Sequence, residues 1–205
     1  MAEPKILLEP DKYYHIYNRG INSWQIFIER TNYEHFLKLY GKYISNVADT
    51  FAWVLMGNHF HLLVRVKNAL VLELNLRDLN LRDFQDLEGL GLERIEKYII
   101  QQFSNLFNAY TKAFNKKYQR TGSLFKHSFK RKLIEDEKYL KQMIIYIHNN
   151  PVKHHFCNHP AIYPWSSYQN FLSSKSTELH QEIILNWFDN KSNFIASHNE
   201  RSEIS

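Results

Sequence analysis

Two histidines one residue apart, His59 and His61, and a tyrosine four residues before an asparagine, Tyr146 and Asn150, are the side chains of this sequence best suited to act together on a substrate. In a β-strand alternate side chains share a face, so His59 and His61 project with Leu63 and Arg65, while Phe60, Leu62, Val64 and Val66 project the other way. One face is then wholly apolar, and the other carries two imidazoles about 7 Å apart that can converge on one divalent ion. Two incidental histidines fit the same spacing. In a helix, residues i and i+4 lie on one face, which sets the Tyr146 hydroxyl beside the Asn150 carboxamide. A tyrosine hydroxyl, with an ordinary pKa of roughly 10, becomes a nucleophile only with a cation or base close by. Helix periodicity alone favours Tyr146 as core filler and Asn150 as a cap before Pro151.

Local pattern supplies the elements that must hold these groups. Tyr13 to Asn18 is rich in aromatic and β-branched residues and stops at Arg19-Gly20, a strand followed by a turn. Thr31 and Glu34 have capping-box spacing ahead of apolar Phe36, Leu37, Tyr40, Tyr43 and Ile44, which predicts an amphipathic helix. Thr50 to Met56 and His59 to Val66 read as neighbouring antiparallel strands, with Gly57-Asn58 suited to a hairpin turn of positive φ. Residues 68–91 are Leu-rich and acidic and repeat Leu-Asn-Leu-Arg-Asp at 74–78 and 79–83. A unit that short builds no solenoid, so the stretch reads as an insertion with a short helix. Ile95, Ile99, Phe103, Leu106, Tyr110 and Phe114 form the stripe of a long helix from Leu92 to Lys117. Tyr110 is the rival to Tyr146, but its i+4 neighbour is Phe114 and it reads as core. A last strong helix is predicted from Glu137 to Asn150, stopped by Pro151. After it come the segment Tyr163-Pro164-Trp165-Ser166-Ser167-Tyr168, a short amphipathic piece near Ile183 to Phe188, and a terminus expected to fray.

A length of 205 residues predicts a single domain, with an insertion at about 68–91 and a C-terminal extension at about 171–205. The 44% hydrophobic and 23% charged content is that of a folded globular chain. A net charge of +5 favours polyanionic partners. Seven basic residues and no acidic one lie between positions 116 and 132: Lys116, Lys117, Arg120, Lys126, Lys130, Arg131 and Lys132. Interleaved with Tyr118, Phe125 and Phe129, they fit a nucleic-acid contact better than a merely solvated basic loop, and the family likeness described below makes them candidate DNA contacts, with Phe125 or Tyr118 stacking on unpaired bases. One cysteine permits no internal disulfide. The start lacks a basic-then-apolar leader, and no apolar run reaches the roughly 18 residues of a membrane span, so a cytoplasmic protein with no membrane association is expected.

Four ordered segments resemble those of the REP-associated tyrosine transposases, within the single-tyrosine HUH transposase superfamily. They are Tyr14-His15-Ile16-Tyr17-Asn18-Arg19-Gly20, Met56-Gly57-Asn58-His59-Phe60-His61-Leu62-Leu63, Arg120-Thr121-Gly122-Ser123-Leu124-Phe125 and Tyr146-Ile147-His148-Asn149-Asn150-Pro151-Val152. The stretch from Tyr163 to Tyr168 is also similar, so the likeness spans about residues 13 to 170. It implies an α+β fold: a ferredoxin-like antiparallel sheet with helices on one face, the histidines on a central strand, the tyrosine on a separate helix, and here a helical insertion. It further implies that His59, His61 and Asn150 hold Mg²⁺ or Mn²⁺ and that Tyr146 is the nucleophile. The implied activity is cutting and rejoining of single-stranded or hairpin DNA through a 5′-phosphotyrosine link, the chemistry of DNA transposition and recombination by a mobile element. Three alternatives stay open: a non-catalytic DNA-binding module of the same fold, a metal-dependent hydrolase in which Tyr146 is dispensable, and, for assembly, a homodimer with exchanged tyrosine helices instead of a monomer.

Overall fold

Four strands make one antiparallel sheet: β1 (Tyr13–Arg19), β2 (Ala48–Met56), β3 (His59–Val66) and β4 (Lys130–Ile134), in the spatial order β2-β3-β1-β4. The computed structural model describes residues 6–79, 91–126, 128–173 and 180–199. Helix α1 (Arg30–Ile44) joins β1 to β2, and α2 (Ala69–Leu79) and α3 (Leu92–Lys117) lie between β3 and β4. Each crossover skips one strand, which is the ferredoxin-like arrangement of an α+β fold. Much of the predicted insertion, residues 80–90, lies outside the described residues, and its first part is α2.

Strand alternation divides the sheet into two faces of different chemistry. Tyr14, Ile16, Phe60, Leu62, Val64 and Val66 turn to one side and are buried against Phe36 and Ile44 of α1 and Ile99, Phe103, Leu106 and Tyr110 of α3. Burying side chains of this size contributes about 1.5–3 kcal/mol each, so the apolar face secures both helices. The other face carries Tyr13, His15 and Tyr17 of β1, His59, His61 and Leu63 of β3, and Lys130, Lys132 and Ile134 of β4.

That second face is crossed by α4 (Glu137–Lys153) and covered further by α5 (Tyr168–Leu172), α6 (Gln181–Trp187) and α7 (Lys191–Asn199). Leu140, Met143, Ile144 and Ile147 of α4 pack with Val54, Met56, Leu63 and Ile134 of the sheet and with Tyr168, Phe171, Ile184 and Phe194 of the following helices. Helices therefore lie on both faces, not on one alone, because the C-terminal extension supplies enough apolar side chains for a second core. Helix α7 has no counterpart among the sequence expectations, and residues 200–205 at the terminus lie outside the described residues.

Three local expectations are corrected. The capping box of α1 pairs Glu29 with Asn32, one turn boundary before the expected Thr31 and Glu34, and the Asn32 Oδ1 accepts from the Glu29 N–H at 3.1 Å. Gly57-Asn58 turns the hairpin without positive φ, since Gly122 is the positive-φ glycine among the described residues. The place of Gly57 in the fold is set by the backbone instead: its carbonyl accepts from the N–H groups of Ile26 and Phe27, and the exposed Gln25 side chain lies against the glycine. Pro151 does not stop α4, which runs on to Lys153. A proline so near the end forfeits one hydrogen bond, and the His154 N–H still closes the last turn on the Asn150 carbonyl at 3.0 Å.

The segment from Tyr163 to Tyr168 protects the open edge of β2. Leu55 N–H donates to the Trp165 carbonyl and Ser167 N–H to the Trp53 carbonyl, each at 2.9 Å, and the Tyr163 hydroxyl donates to the Leu55 carbonyl at 2.7 Å. No helix among the described residues is long and apolar enough to cross a membrane.

Helix α7 is held to α4 by a directed chain of buried polar groups. His198 Nδ1 donates to the Phe194 carbonyl at 2.7 Å, which leaves His198 Nε2 to accept from His148 Nδ1 at 2.9 Å and His148 Nε2 to accept from Ser167 Oγ at 2.7 Å. Both rings are neutral in this arrangement, and burial lowers both pKa values, that of His198 to about 4. The unfolded chain, with histidines titrating near 6.5, takes up protons that the folded one refuses below that pH. Stability measured by urea denaturation is therefore expected to be level above pH 6.5 and to fall between 6.5 and about 4, with His198 alone contributing on the order of 3 kcal/mol and the other buried histidines adding to it. A flat profile over that window would show that the folded chain accepts the protons.

Candidate active site

Strand register gathers imidazoles and a phenol on the second face. On β3 His61 stands opposite Tyr17 of β1 and His59 opposite Arg19, with His15 one step along on the same face. His15 Nε2 meets His61 Nδ1 at 2.8 Å, and both residues are buried. One of the two nitrogens must donate; with the proton on His61 Nδ1, the His61 Nε2 presents a lone pair.

Helix α4 brings the rest. The Tyr146 ring lies 5.4 Å from that of His61 and 6.1 Å from that of His15, edge-on to both. One turn further, Asn150 Oδ1 is 3.2 Å from His59 Nε2. The hairpin turn fixes the tautomer of His59. Asn58 Nδ2 points at the Ser23 carbonyl, 3.4 Å away, so Asn58 Oδ1 is the atom that accepts from His59 Nδ1 at 2.6 Å. His59 Nε2 is then an unprotonated acceptor facing the carboxamide of Asn150. The Asn150 Nδ2 is buried and has no hydrogen-bond partner.

These observations decide whether a divalent cation fits. Ligands about 2.1 Å from a six-coordinate Mg²⁺ and at right angles stand about 3 Å apart, close to the separation of His59 Nε2 and Asn150 Oδ1. A metal-ligating histidine ordinarily donates its other N–H to an acceptor, which both His59 (to Asn58) and His61 (to His15) are placed to do. Among the described residues, no group of three or more His, Cys, Asp or Glu side chains is arranged to hold a metal. His59 Nε2 and Asn150 Oδ1, both uncharged, are the pair whose separation matches that of neighbouring ligands on such an ion.

Burial sets the protonation of each group. It pushes His61 well below the usual imidazole range, helped by the neighbouring His15 and His59, and lowers His59 and, to about 4, His15. The three rings are neutral near pH 7 with nitrogen lone pairs available. Burial raises the Tyr146 phenol and the adjacent Asn150 amide only partly offsets this, so the hydroxyl stays protonated until positive charge is brought to it.

The structure separates the basic stretch into different roles. Lys126 and Lys130 line a cleft of about 540 Å³ that also takes in His59, His61 and Arg19. Arg131 pairs with Glu96 at 3.2 Å, Lys117 with Glu29 at 2.5 Å, Arg120 with Asn115 at 3.2 Å, and Lys132 donates to the Tyr139 hydroxyl at 2.8 Å. Lys116 is exposed on the last turn of α3. The stacking role expected of Phe125 or Tyr118 is corrected: Phe125 is buried against Phe60 and Phe107, and Tyr118 folds onto Phe114 with its hydroxyl on Glu29. Tyr110 is a core residue whose hydroxyl donates to the Ile26 carbonyl.

His15, Asn58 and His154, whose ring is 5.2 Å from that of His59, belong to the site and escaped sequence reasoning. A signal existed for the first, since His15 and Tyr17 alternate along β1 as His59 and His61 do along β3. For His154, beyond the expected end of its helix, there was none.

No protein-family model matches the chain, and no curated protein matches it in sequence. Its fold is similar to that of a REP-associated tyrosine transposase solved bound to a REP hairpin, with a TM-score of 0.57, 15% identity, and 85% of this chain and 87% of that chain covered. A bacterial tRNA(HIS) guanylyltransferase-like protein in complex with GTP matches with a TM-score of 0.45 and 9% identity over 74% of this chain and 67% of its own. The chain thus has the fold of the transposase.

The two rival tyrosines are expected to answer oppositely to loss of the hydroxyl. Tyr110→Phe leaves the buried Ile26 carbonyl without a partner and should cost about 1–3 kcal/mol in urea denaturation. Tyr146→Phe should leave stability within about 0.5 kcal/mol. Equal losses would make Tyr146 a structural hydroxyl.

Proposed function

We propose that this protein is a metal-dependent, single-tyrosine DNA transposase of the REP-associated type, cutting and rejoining single-stranded or hairpin DNA. The observation that carries the reading is that one helix, α4, sets Tyr146 against His61 and Asn150 against His59. The fold it shares with a transposase bound to a REP hairpin supports the same reading.

In this reading His59, His61 and Asn150 hold Mg²⁺ or Mn²⁺. When bound, the ion withdraws charge from the scissile phosphate and favours the phenolate of Tyr146. Asn58 and His15 keep the two imidazoles in the tautomers that point lone pairs at the ion. Tyr146 Oη attacks phosphorus in line; the Oη–P bond forms as the P–O3′ bond breaks, and the proton lost from the phenol is balanced by one taken up at the 3′ oxygen. The 5′-phosphotyrosine link conserves the phosphodiester energy, so a new 3′ hydroxyl can displace the tyrosine without ATP. Lys126, Lys130 and Arg19 steer and seat the backbone. Because every proposed ligand is neutral, the phosphate itself supplies the anionic oxygen that a dication prefers, and ion and DNA are expected to bind each other's complex more tightly than the free protein.

The decisive experiment incubates the protein with Mn²⁺ and end-labelled single-stranded DNA and looks for an adduct that survives denaturation. The adduct should vanish in Tyr146→Phe and form on the order of a thousandfold more slowly in His59→Ala or His61→Ala, the loss of several kcal/mol of charge stabilisation. Cut ends without adduct would replace this reading with water-based hydrolysis at the histidine pair. Binding without cutting would make the protein a DNA-binding module.

A further inference from the structure

We infer that the cleft beside the histidine pair is a subsite for one unpaired nucleotide next to the scissile phosphate, with its base stacked on Phe156. This rests on the reading of the protein as a single-strand DNA enzyme and specifies how that site grips its substrate. The cleft holds about 540 Å³, within the range of about 300–1,000 Å³ found for sites that enclose a small organic ligand.

Its lining divides by chemistry. Arg19, Lys126 and Lys130 supply positive charge, and no Asp or Glu lines it, so an anion meets no repulsion there. His59 and His61 are among its lining residues, so the cleft adjoins the histidine pair at which the scissile phosphate is proposed to sit. Phe156 forms part of the outer wall and is 54% exposed. About half of this apolar ring stays in water beside a polar cleft, and stacking an unpaired base on it is worth about 1–3 kcal/mol.

The ring is held by the backbone turn and by an edge-on contact with the buried Tyr163 ring, 6.2 Å away. α4 ends at Lys153, His155 adopts the left-handed conformation at φ 60°, and the Phe156 N–H returns to the Pro151 carbonyl at 2.9 Å. A histidine in that conformation is uncommon, and together with the returning bond it turns the chain sharply enough to bring residue 156 back over the cleft. Gln25, tied near the hairpin turn that orients His59, offers a carboxamide on the same lining that can read a base edge. A nucleotide seated there places its sugar-phosphate against the cations and its base between amide and ring. Only an unpaired base exposes both faces to such a ring, so the subsite discriminates single strand from duplex.

The test is equilibrium binding of a fluorescein-labelled single strand carrying the cleavage position, by anisotropy, with protein in which Tyr146→Phe blocks adduct formation. Adding Phe156→Ala should weaken binding about 5- to 150-fold with an unchanged melting temperature, and Phe156→Trp should restore it. An abasic site at one position beside the cleavage point should weaken binding to the Phe156 form by a similar factor and have little further effect on Phe156→Ala. Unchanged affinity in Phe156→Ala, while Lys126→Ala and Lys130→Ala weaken binding, overturns the stacking subsite and leaves the DNA reading in place. Absence of single-strand binding by the parent protein overturns the DNA reading, and this inference with it.

Discussion

The contact on which the site depends is the docking of α4 across the polar face of the sheet. Two of its faces work at once. Leu140, Met143, Ile144 and Ile147 bury themselves against Val54, Leu63 and Ile134, which fixes the height and angle of the helix. Tyr146 and Asn150, one turn apart on the adjoining stripe, are then carried to His61 and His59 without needing contacts of their own to hold them. The neutral chain from Ser167 through His148 to His198 ties the far side of the helix to α7. A rigid element with a second layer of packing behind it is what positions a nucleophile within the small tolerance that chemistry demands.

Charge, or the lack of it, is the second organising fact. The imidazoles of His15, His59 and His61 are kept neutral by burial, and the amide beside them carries no charge. Positive charge stands further out, on Arg19, Lys126 and Lys130 around the cleft. An inner site of unprotonated imidazoles and an outer rim of cations is the arrangement on which the proposed joint binding of a divalent ion and a phosphodiester rests. Of the remaining basic residues of the 116–132 stretch, Lys117, Arg120, Arg131 and Lys132 are drawn into internal contacts, such as Arg131 with Glu96, while Lys116 is exposed.

Much of this was legible in the chain itself. The alternation of His59, His61 and Leu63 against Phe60, Leu62 and Val64 fixes which side chains share a face, because a strand offers no other geometry. The i, i+4 spacing of Tyr146 and Asn150 does the same for a helix. Where local reading went astray, a distant partner was responsible. Gly57 looked like a positive-φ turn residue and instead takes the N–H groups of Ile26 and Phe27 on its carbonyl; Phe125 looked like a surface ring and packs against Phe60 and Phe107.

By itself the sequence determined the first three strands but not β4, whose residues read only as a basic stretch, together with the long helices and the pairing of chemically able residues within each element, since periodicity is a property of the local backbone. Only the tertiary structure decided that the two pairs face each other across 91 residues, that His15 and Asn58 hydrogen-bond the two histidines from behind, and that Phe156 rather than Phe125 stands open beside them. Those outcomes depend on strand register, on the angle of α4 and on what covers each face. Such quantities are fixed by summed long-range packing and leave no periodic trace along the chain.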